Sequence, residues 1–381
     1  MDRPAERIDV WVEEASGARF ACAACQQDAP VYDHTQEHAW RHLETCQCRT
    51  YVHASLPRTH CPKDGVKQVR SPWAEPRSQF TRVFERRMID TLKECDVTGV
   101  TRLTGTSWDE TWGVMMRAVD RGLARKDRRV PARIGIDEKS VGKGHEYESL
   151  VCDLDGSTVE YVVDDRKKES LESYYRQIEA IAMDMWGPYV RATQDHVPDA
   201  AGKIVFDRFH ATKYVTTAVD KVRRAEHKAL AQSGDQRLKG TKYLWLRHEE
   251  NIPDWLREEF AAVKSAELKT SRAWAIKESL RKFWMYSYQK CAEKYFTAWY
   301  FWATHSRIAP MIEAARTLKR HLANILTYFK HRITNATAEG INSKIQMIKL
   351  MACGYRNRNH YRAAIYFHCG GLDLYPRPAV T

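Results

Sequence analysis

With 381 residues the chain can bury one large core with small appended modules, or fold as two to three domains. Lys and Arg total 61 against 49 Asp and Glu, a net charge of +12 with a pI near 9.1, which suits a polyanionic partner. No run of roughly 18 apolar residues occurs and the first residues lack a signal-peptide core, which predicts a soluble, cytoplasmic protein without a membrane helix.

Cysteines are concentrated at the start: Cys22, Cys25, Cys46, Cys48 and Cys61 all precede residue 66. In a cytoplasmic chain such clustering favours a metal over disulfides. Cys22-Ala-Ala-Cys25 has the spacing of a zinc knuckle, and His60-Cys61-Pro-Lys-Asp64-Gly reads as a second knuckle with its last cysteine replaced. The expected structural Zn²⁺ ligands are Cys22, Cys25, Cys61 and Asp64, with His60 or the Cys46/Cys48 pair as the open alternatives for completing the set.

Pro72–Arg87 is a basic connector carrying Arg77, Arg82, Arg86 and Arg87, just after Arg70. From Phe80 to Lys126 the apolar spacing becomes helical. Ser107-Trp-Asp-Glu110 is a capping box, and the helix it opens places Trp108, Trp112, Met115 and Val119 on one face, expected to be core. Arg117, Arg121 and Arg125 recur every fourth residue on another face. With Thr98–Gly105 as the preceding short helix and turn, this predicts a helix-turn-helix whose arginines meet DNA; a plain three-helix packing unit is the alternative.

Runs of Val, Ile and aromatic residues bounded by Gly and Asp predict strands over Arg133–Asp137, Tyr147–Asp153, Ser157–Val163, Ala180–Asp184 and Lys203–Phe206. Turns are expected at Gly142-Lys143-Gly144 and Asp155-Gly156. Arg166–Ile178 reads as a helix with Leu171, Tyr174, Tyr175 and Ile178 on its apolar face. Aspartates at the ends of neighbouring strands point into one crevice, and such a carboxylate cluster suits Mg²⁺ or Mn²⁺. Residues 211–330 are helical in pattern and rich in Lys, Arg, Trp and Tyr. Trp245, Trp255, Trp274 and Trp284 are expected mostly to pack, while Lys264, Lys269, Arg272, Lys277, Arg281 and Lys282 form either a DNA-facing side or a solvated face. A last helix begins near Thr334, capped by Asn335 or Thr337, with Ile341, Ile345 and Ile348 inward and Lys344 as a phosphate contact.

The strand-strand-strand-helix-strand-helix-strand order, with Asp137 on the first strand and Asp184 after the fourth, resembles the RNase H-like core of DDE transposases. Gly-Ile-Asp137-Glu, Lys143-Gly-His145, Met-Asp184-Met-Trp, Phe-Asp207-Arg-Phe-His210 and Glu339-Gly-Ile-Asn342-Ser-Lys344 together look like the bacterial insertion-sequence transposases of the ISL-three type. The resemblance spans nearly the whole chain. The finger region matches too, with Asp33-His34 and Trp40-Arg41-His42, although that family carries a second Cys-x-x-Cys pair where this chain has Asp64.

The implied fold is an α/β RNase H-like core, a mixed sheet flanked by helices, with a helical insertion and a small zinc module and helix-turn-helix before it. The implied boundaries are 1–70 zinc-finger-like, 71–130 linker and helix-turn-helix, 131–212 first part of the core, 213–330 insertion and 331–381 final acidic helix and C-terminus. Asp137, Asp184 and Glu339 would be the catalytic carboxylates holding two Mg²⁺ or Mn²⁺ ions, with Asp207, His210 and Asn342 shaping the site. Asp207 rivals Asp184 as second ligand, but Asp207-Arg-Phe-His210 resembles an element that several DDE groups carry after their second aspartate. Glu138, Asp153, Asp164 and Asp165 read as surface or turn groups. The implied partners are double-stranded DNA, as element ends and target, and further copies of the chain in a synaptic complex; a cytoplasmic, nucleoid-associated location follows. A non-catalytic DNA-binding regulator and a nuclease without strand transfer are the competing functions.

Overall fold

The computed structural model describes residues 6–127, 129–140, 147–163 and 177–377. The Gly142–Gly144 turn, the Lys143–His145 step, Asp164, Asp165 and most of the Arg166–Ile178 helix lie outside them. The chain divides into two compact units, Met1–Arg128 with Lys344–Thr381, and Arg129–Ser343.

The first unit begins with short strands β1 (Arg7–Trp11), β2 (Arg19–Ala21), β3 (Asp28–His34), β4 (His38–Arg41), β5 (Arg49–Ala54), β6 (Pro57–Cys61) and β7 (Gly65–Gln68). They form a three-stranded sheet in the order β1-β5-β4 and a four-stranded sheet in the order β2-β3-β6-β7. Trp40, Ala54, Leu56 and Ala74 make a small buried cluster with Trp73 packed against it, so apolar burial alone gives these sheets little support. Three helices follow: α1 (Arg82–Glu94), α2 (Val97–Thr104) and α3 (Trp108–Arg125). Asp96 caps α2 by accepting from the Gly99 N–H, and Gly105 ends it at φ +66°, in the left-handed region that favours glycine. The Ser107–Glu110 capping box opens α3 with both of its hydrogen bonds made. Trp112, Met115 and Val119 are buried as expected, but Trp108 is 43% exposed and stacks on Trp112 at 5.5 Å, so it lies at the margin of that face. The C-terminal helix Arg358–Cys369, capped by Asn357, belongs to the same unit. Gly122 on α3 permits the close approach of Leu372, since a Cβ there would lie 2.6 Å from the Leu372 Cβ.

The second unit is built on a five-stranded sheet of β8 (Arg133–Ser140), β9 (Tyr147–Asp153), β10 (Thr158–Val163), β11 (Ala180–Met183) and β12 (Ile204–Phe206), in the order β10-β9-β8-β11-β12. β9 runs antiparallel to both β8 and β10, and β8, β11 and β12 are parallel. β9 coincides with its expected strand; β8 runs three residues further, to Ser140, and β10, β11 and β12 are each one residue shorter than expected, so that Asp184 lies just past the end of β11. β11 and β12 are buried at every position, the pattern of parallel strands covered on both faces. The buried Asp153 carboxylate accepts from the Asp155 N–H and closes the β9–β10 turn, a turn group as expected.

After β12 the chain is helical from Arg208 to His331, with the long helix Arg208–Gln232 leading. One apolar cluster runs continuously from Ile134, Met183 and Phe206 of the sheet to Trp245, Phe283 and Trp299 of the helices. Trp245 and Trp274 are packing residues, whereas Trp255 is 80% exposed. Among the described residues no helix is long and apolar enough to cross a membrane.

Candidate catalytic and metal centres

The carboxylate crevice follows from strand register. Ala182 of β11 pairs with Gly135 of β8, and Asp184 and Asp137 each lie two residues further along these parallel neighbours. Side chains two apart share a face of a sheet, so both aspartates emerge on the side that Gly135 occupies. The helix Ala336–Met351 crosses that side, because a Cβ at Gly135 would meet Asn335 Oδ1 at 2.8 Å, Leu154 Cδ2 at 2.9 Å and the Ala338 Cβ at 3.1 Å. Absence of that one Cβ lets the helix lie close. Glu339, beside Ala338, is thereby carried toward the two aspartates, and Asn342 one turn later donates its amide N–H to Asp137 Oδ2. His210, on the first turn of Arg208–Gln232, lies with Nε2 2.9 Å from Asp184 Oδ1 and 4.0 Å from Glu339 Oε1.

Asp207 has a different task from Asp184. It is 5% exposed; its Oδ1 accepts from the Phe209 N–H at 2.6 Å and its Oδ2 from the Asn335 N–H at 2.8 Å. One carboxylate therefore caps the helix that carries His210 and holds the entry to the helix that carries Glu339. Both of its oxygens are engaged by backbone donors, whereas Asp184 faces the crevice. Asn335 stands at the N-cap position without capping through its side chain: its buried Oδ1 and Nδ2 have no hydrogen-bond partner, and Thr334 Oγ1 accepts from Ala336 instead.

The electrostatics of the crevice are those of crowded anions. Burial and then the Asp207 charge push Glu339 above the usual carboxylate range, with Asp137 and Asp184 adding to the effect and His210 opposing it. Asp184 holds His210 above its usual value against the opposing effect of burial. The carboxylates are not drawn together as a closed ligand cage. Among the described residues only one group of three or more candidate metal donors has its atoms mutually within 4.8 Å, and it lies elsewhere.

That group is Cys22, Cys25, Cys61 and Asp64. Cys25 Sγ lies 3.4 Å from Cys61 Sγ, and Asp64 Oδ2 lies 3.7 Å from Cys22 Sγ and 3.6 Å from Cys61 Sγ, with no disulfide formed. The two knuckles are the turn after β2 and the β6–β7 turn, where Gly65 sits at φ +70°. Backbone N–H groups of Cys25 and Ala24 hold the Cys22 thiol below its usual value, while the adjacent Asp64 carboxylate pushes the Cys25 thiol up to about 12, the mutual repulsion of crowded anionic donors. Three thiols and one carboxylate at this spacing fit a tetrahedral Zn²⁺. His60 is exposed beside Tyr32, and Cys46 and Cys48 lie in a separate tight turn, so neither alternative completes the set.

Several residues expected to contact DNA are engaged within the chain itself. Arg117 pairs with the buried Glu85; Arg121 pairs with Glu75 and donates to the Leu374 carbonyl; Arg125 pairs with Asp373 and donates to the Tyr375 carbonyl. The row on α3 thus ties that helix to α1 and to the C-terminal segment of its own unit, and it is not an open phosphate-facing row. Lys277 is buried, and its Nζ donates to the carbonyls of Trp245, Leu246 and Arg247. Lys264, Arg272 and Arg281 are likewise engaged, by Glu249, the Ser306 carbonyl, and Glu250 with Glu278. Lys344 donates to the His368 carbonyl from an exposed position.

Sequence reasoning left one part of the crevice without a role. Its wall is completed by Trp186, Tyr189 and Tyr214, beside Asp137, Asp184 and His210. The signal was the aromatic residue two positions after Asp184.

Comparison with known proteins agrees with this architecture. The transposase family model of the ISL3 type matches residues 134–365, more than half of the chain. The helix-turn-helix domain of transposase family ISL3 matches 69–119, and the zinc-finger of transposase IS204/IS1001/IS1096/IS1165 matches 18–64. The transposase for insertion sequence element IS1001 of Bordetella parapertussis is 26% identical over 375 residues, covering 94% of this chain and 90% of that protein. The transposase for IS1557 of Mycobacterium tuberculosis is 25% identical over 384 residues, covering 92% and 86%. With a family model spanning most of the second unit and matching modules before it, the chain belongs to the ISL3 family of insertion-sequence transposases.

Proposed function

We propose that the chain binds the ends of its own insertion sequence and catalyses DNA cleavage and strand transfer at the crevice of Asp137, Asp184 and Glu339. The observation that carries this reading is the register of β8 and β11, which sets two aspartates side by side under a helix bearing a glutamate. The 3-2-1-4-5 strand order, antiparallel then parallel, supports an RNase H-like core, with residues 213–330 as a helical insertion.

Hard oxygen donors that repel one another, with Glu339 raised by burial and then by its acidic neighbours, suit Mg²⁺ or Mn²⁺. Two such ions, when bound, would lower the pKa of an attacking water or 3′-hydroxyl and stabilise the leaving 3′-oxygen. Asn342 orients Asp137, His210 restrains Asp184, and Asp207 fixes the two helices that bring His210 and Glu339 in. A structural Zn²⁺ held by Cys22, Cys25, Cys61 and Asp64 would stiffen the first 70 residues, which with the helices of 71–130 are the end-recognition modules. Bringing two ends together calls for at least two copies of the chain.

The test is incubation with a plasmid carrying the DNA that flanks the gene, with Mg²⁺ or Mn²⁺, followed by mapping of nicks and joined products. The reading expects nicks at defined ends and joined strands, both lost in Asp137→Ala, Asp184→Ala and Glu339→Ala. End binding without cleavage would make the chain a regulator, and nicks without joining a nuclease.

A further inference from the structure

We infer that Trp186, braced by Tyr189, is a stacking platform for one unpaired nucleobase of the DNA strand whose phosphate enters the carboxylate crevice. The inference rests on the reading of that crevice as a phosphodiester-transfer site and adds a base-binding subsite to it.

Trp186 follows Asp184 by two residues and is 47% exposed, although the strand before it is buried at every position. It occupies the N-cap position of the helix Gly187–His196, where Ser, Thr, Asp or Asn would cap, and its side chain makes no cap hydrogen bond. Tryptophan at that position does not serve as a helix cap. The ring is nonetheless held: Tyr189 meets it edge-on at 4.9 Å and 75°, and the Tyr189 hydroxyl is 3.0 Å from Ser149 Oγ on β9. The contact holds the ring while nearly half of the residue stays exposed to a ligand.

The surroundings select the ligand. Trp186, Tyr189 and Tyr214 wall a crevice of about 260 Å³ whose other lining includes Asp137, Asp184 and His210. That is below the roughly 300–1,000 Å³ usual for small-molecule sites, and it suits a single planar ring system. Tyr214, 42% exposed, adds a second aromatic surface to the wall. Aromatic stacking is sequence-tolerant and takes bases that have left the duplex. A base beside the reacting phosphate is within reach because the platform and the carboxylate are two residues apart.

The test is an affinity cycle with the full chain and a fluorescent duplex of its own element end, already cleaved, in Ca²⁺. Wild type, Trp186→Ala and Trp186→Phe are compared on normal DNA and on DNA with an abasic residue at each of the three nucleotides flanking the exposed 3′-end. Trp186→Ala is expected to weaken binding about 5- to 150-fold, with Trp186→Phe retaining most of the affinity. At one position the abasic residue should weaken wild type comparably and add nothing to Trp186→Ala. Unchanged affinity in Trp186→Ala, or losses that multiply at all three positions, would overturn the platform. The readout is affinity, so a chain that binds the end without cleaving it would fail the parent reading while still deciding this one.

Discussion

Replacing Asp207 separates two roles that a carboxylate near the crevice could play. Its Oδ1 caps the helix Arg208–Gln232, and its Oδ2 satisfies the Asn335 N–H in a fully buried setting. Loss of an N-cap costs about 0.5–2 kcal/mol, and an orphaned buried N–H roughly 1–3 kcal/mol. Asp207→Ala should therefore destabilise the second unit by about 2–5 kcal/mol. Asp207→Asn can keep the cap through its remaining oxygen, but must either turn an NH₂ group toward the Asn335 N–H or give up the cap; about 1–3 kcal/mol is expected to be lost. The assay is urea unfolding beside end cleavage on the same preparations. Cleavage should fall in proportion to displacement of His210 and Glu339 and be partly retained in Asp207→Asn. An Asp207→Asn chain as stable as the parent, yet devoid of cleavage, would refute the reasoning and make Asp207 a metal ligand.

Three other outcomes follow from the same geometry. Gly135→Ala brings a Cβ within 2.8 Å of Asn335 Oδ1 and 3.1 Å of the Ala338 Cβ; overpacking of about 1–3 kcal/mol should appear in unfolding curves, with end cleavage reduced more than end binding. Zinc content measured by a chromogenic chelator should be one equivalent, lost in Cys22→Ser and Cys61→Ser and weakened in Asp64→Ala, but unchanged in Cys46→Ser. Burial, with Lys344 next, pushes the His368 imidazole down to about 4 from its usual 6.5. Between those values the unfolded chain binds the extra proton and the folded one does not, so stability falls as pH drops through that window. The loss is on the order of 3 kcal/mol by pH 4, and unfolding curves of His368→Gln should lack that part of the slope.

The sheet was the most legible part of the molecule. The strand at Tyr147–Asp153 lies where the pattern predicts, because short runs of β-branched and apolar residues bounded by Gly and Asp leave few other arrangements, while β8 runs on through the polar Glu138–Ser140 that the apolar pattern does not mark. The preference for Asp184 over Asp207 rests on resemblance. The engagement of both Asp207 oxygens by backbone donors supports it, and no strand pattern reveals that engagement. The arginines of α3 illustrate the opposite limit. Helical spacing sets the face on which Arg117, Arg121 and Arg125 lie, but the groups across from them are Glu85, Glu75 and, about 250 residues away, Asp373 with the Leu374 and Tyr375 carbonyls. Lys277 failed in the same way, since its three carbonyl partners depend on where Trp245–Arg247 folds back. The seven strands of the first unit were read only as a finger-like module, because runs as short as Arg19–Ala21 carry too few residues for a period to register.

The most direct test of the proposed metal centre at Asp137, Asp184 and Glu339 is iron-mediated backbone cleavage. Fe²⁺ takes the place of Mg²⁺, and hydroxyl radicals generated with ascorbate and peroxide cut the polypeptide near the bound ion. Fragments ending near Asp137, Asp184 and Glu339, suppressed by excess Mg²⁺ and absent in Asp184→Ala, are the result predicted. Cuts centred near Asp207 that persist in Asp184→Ala would contradict it.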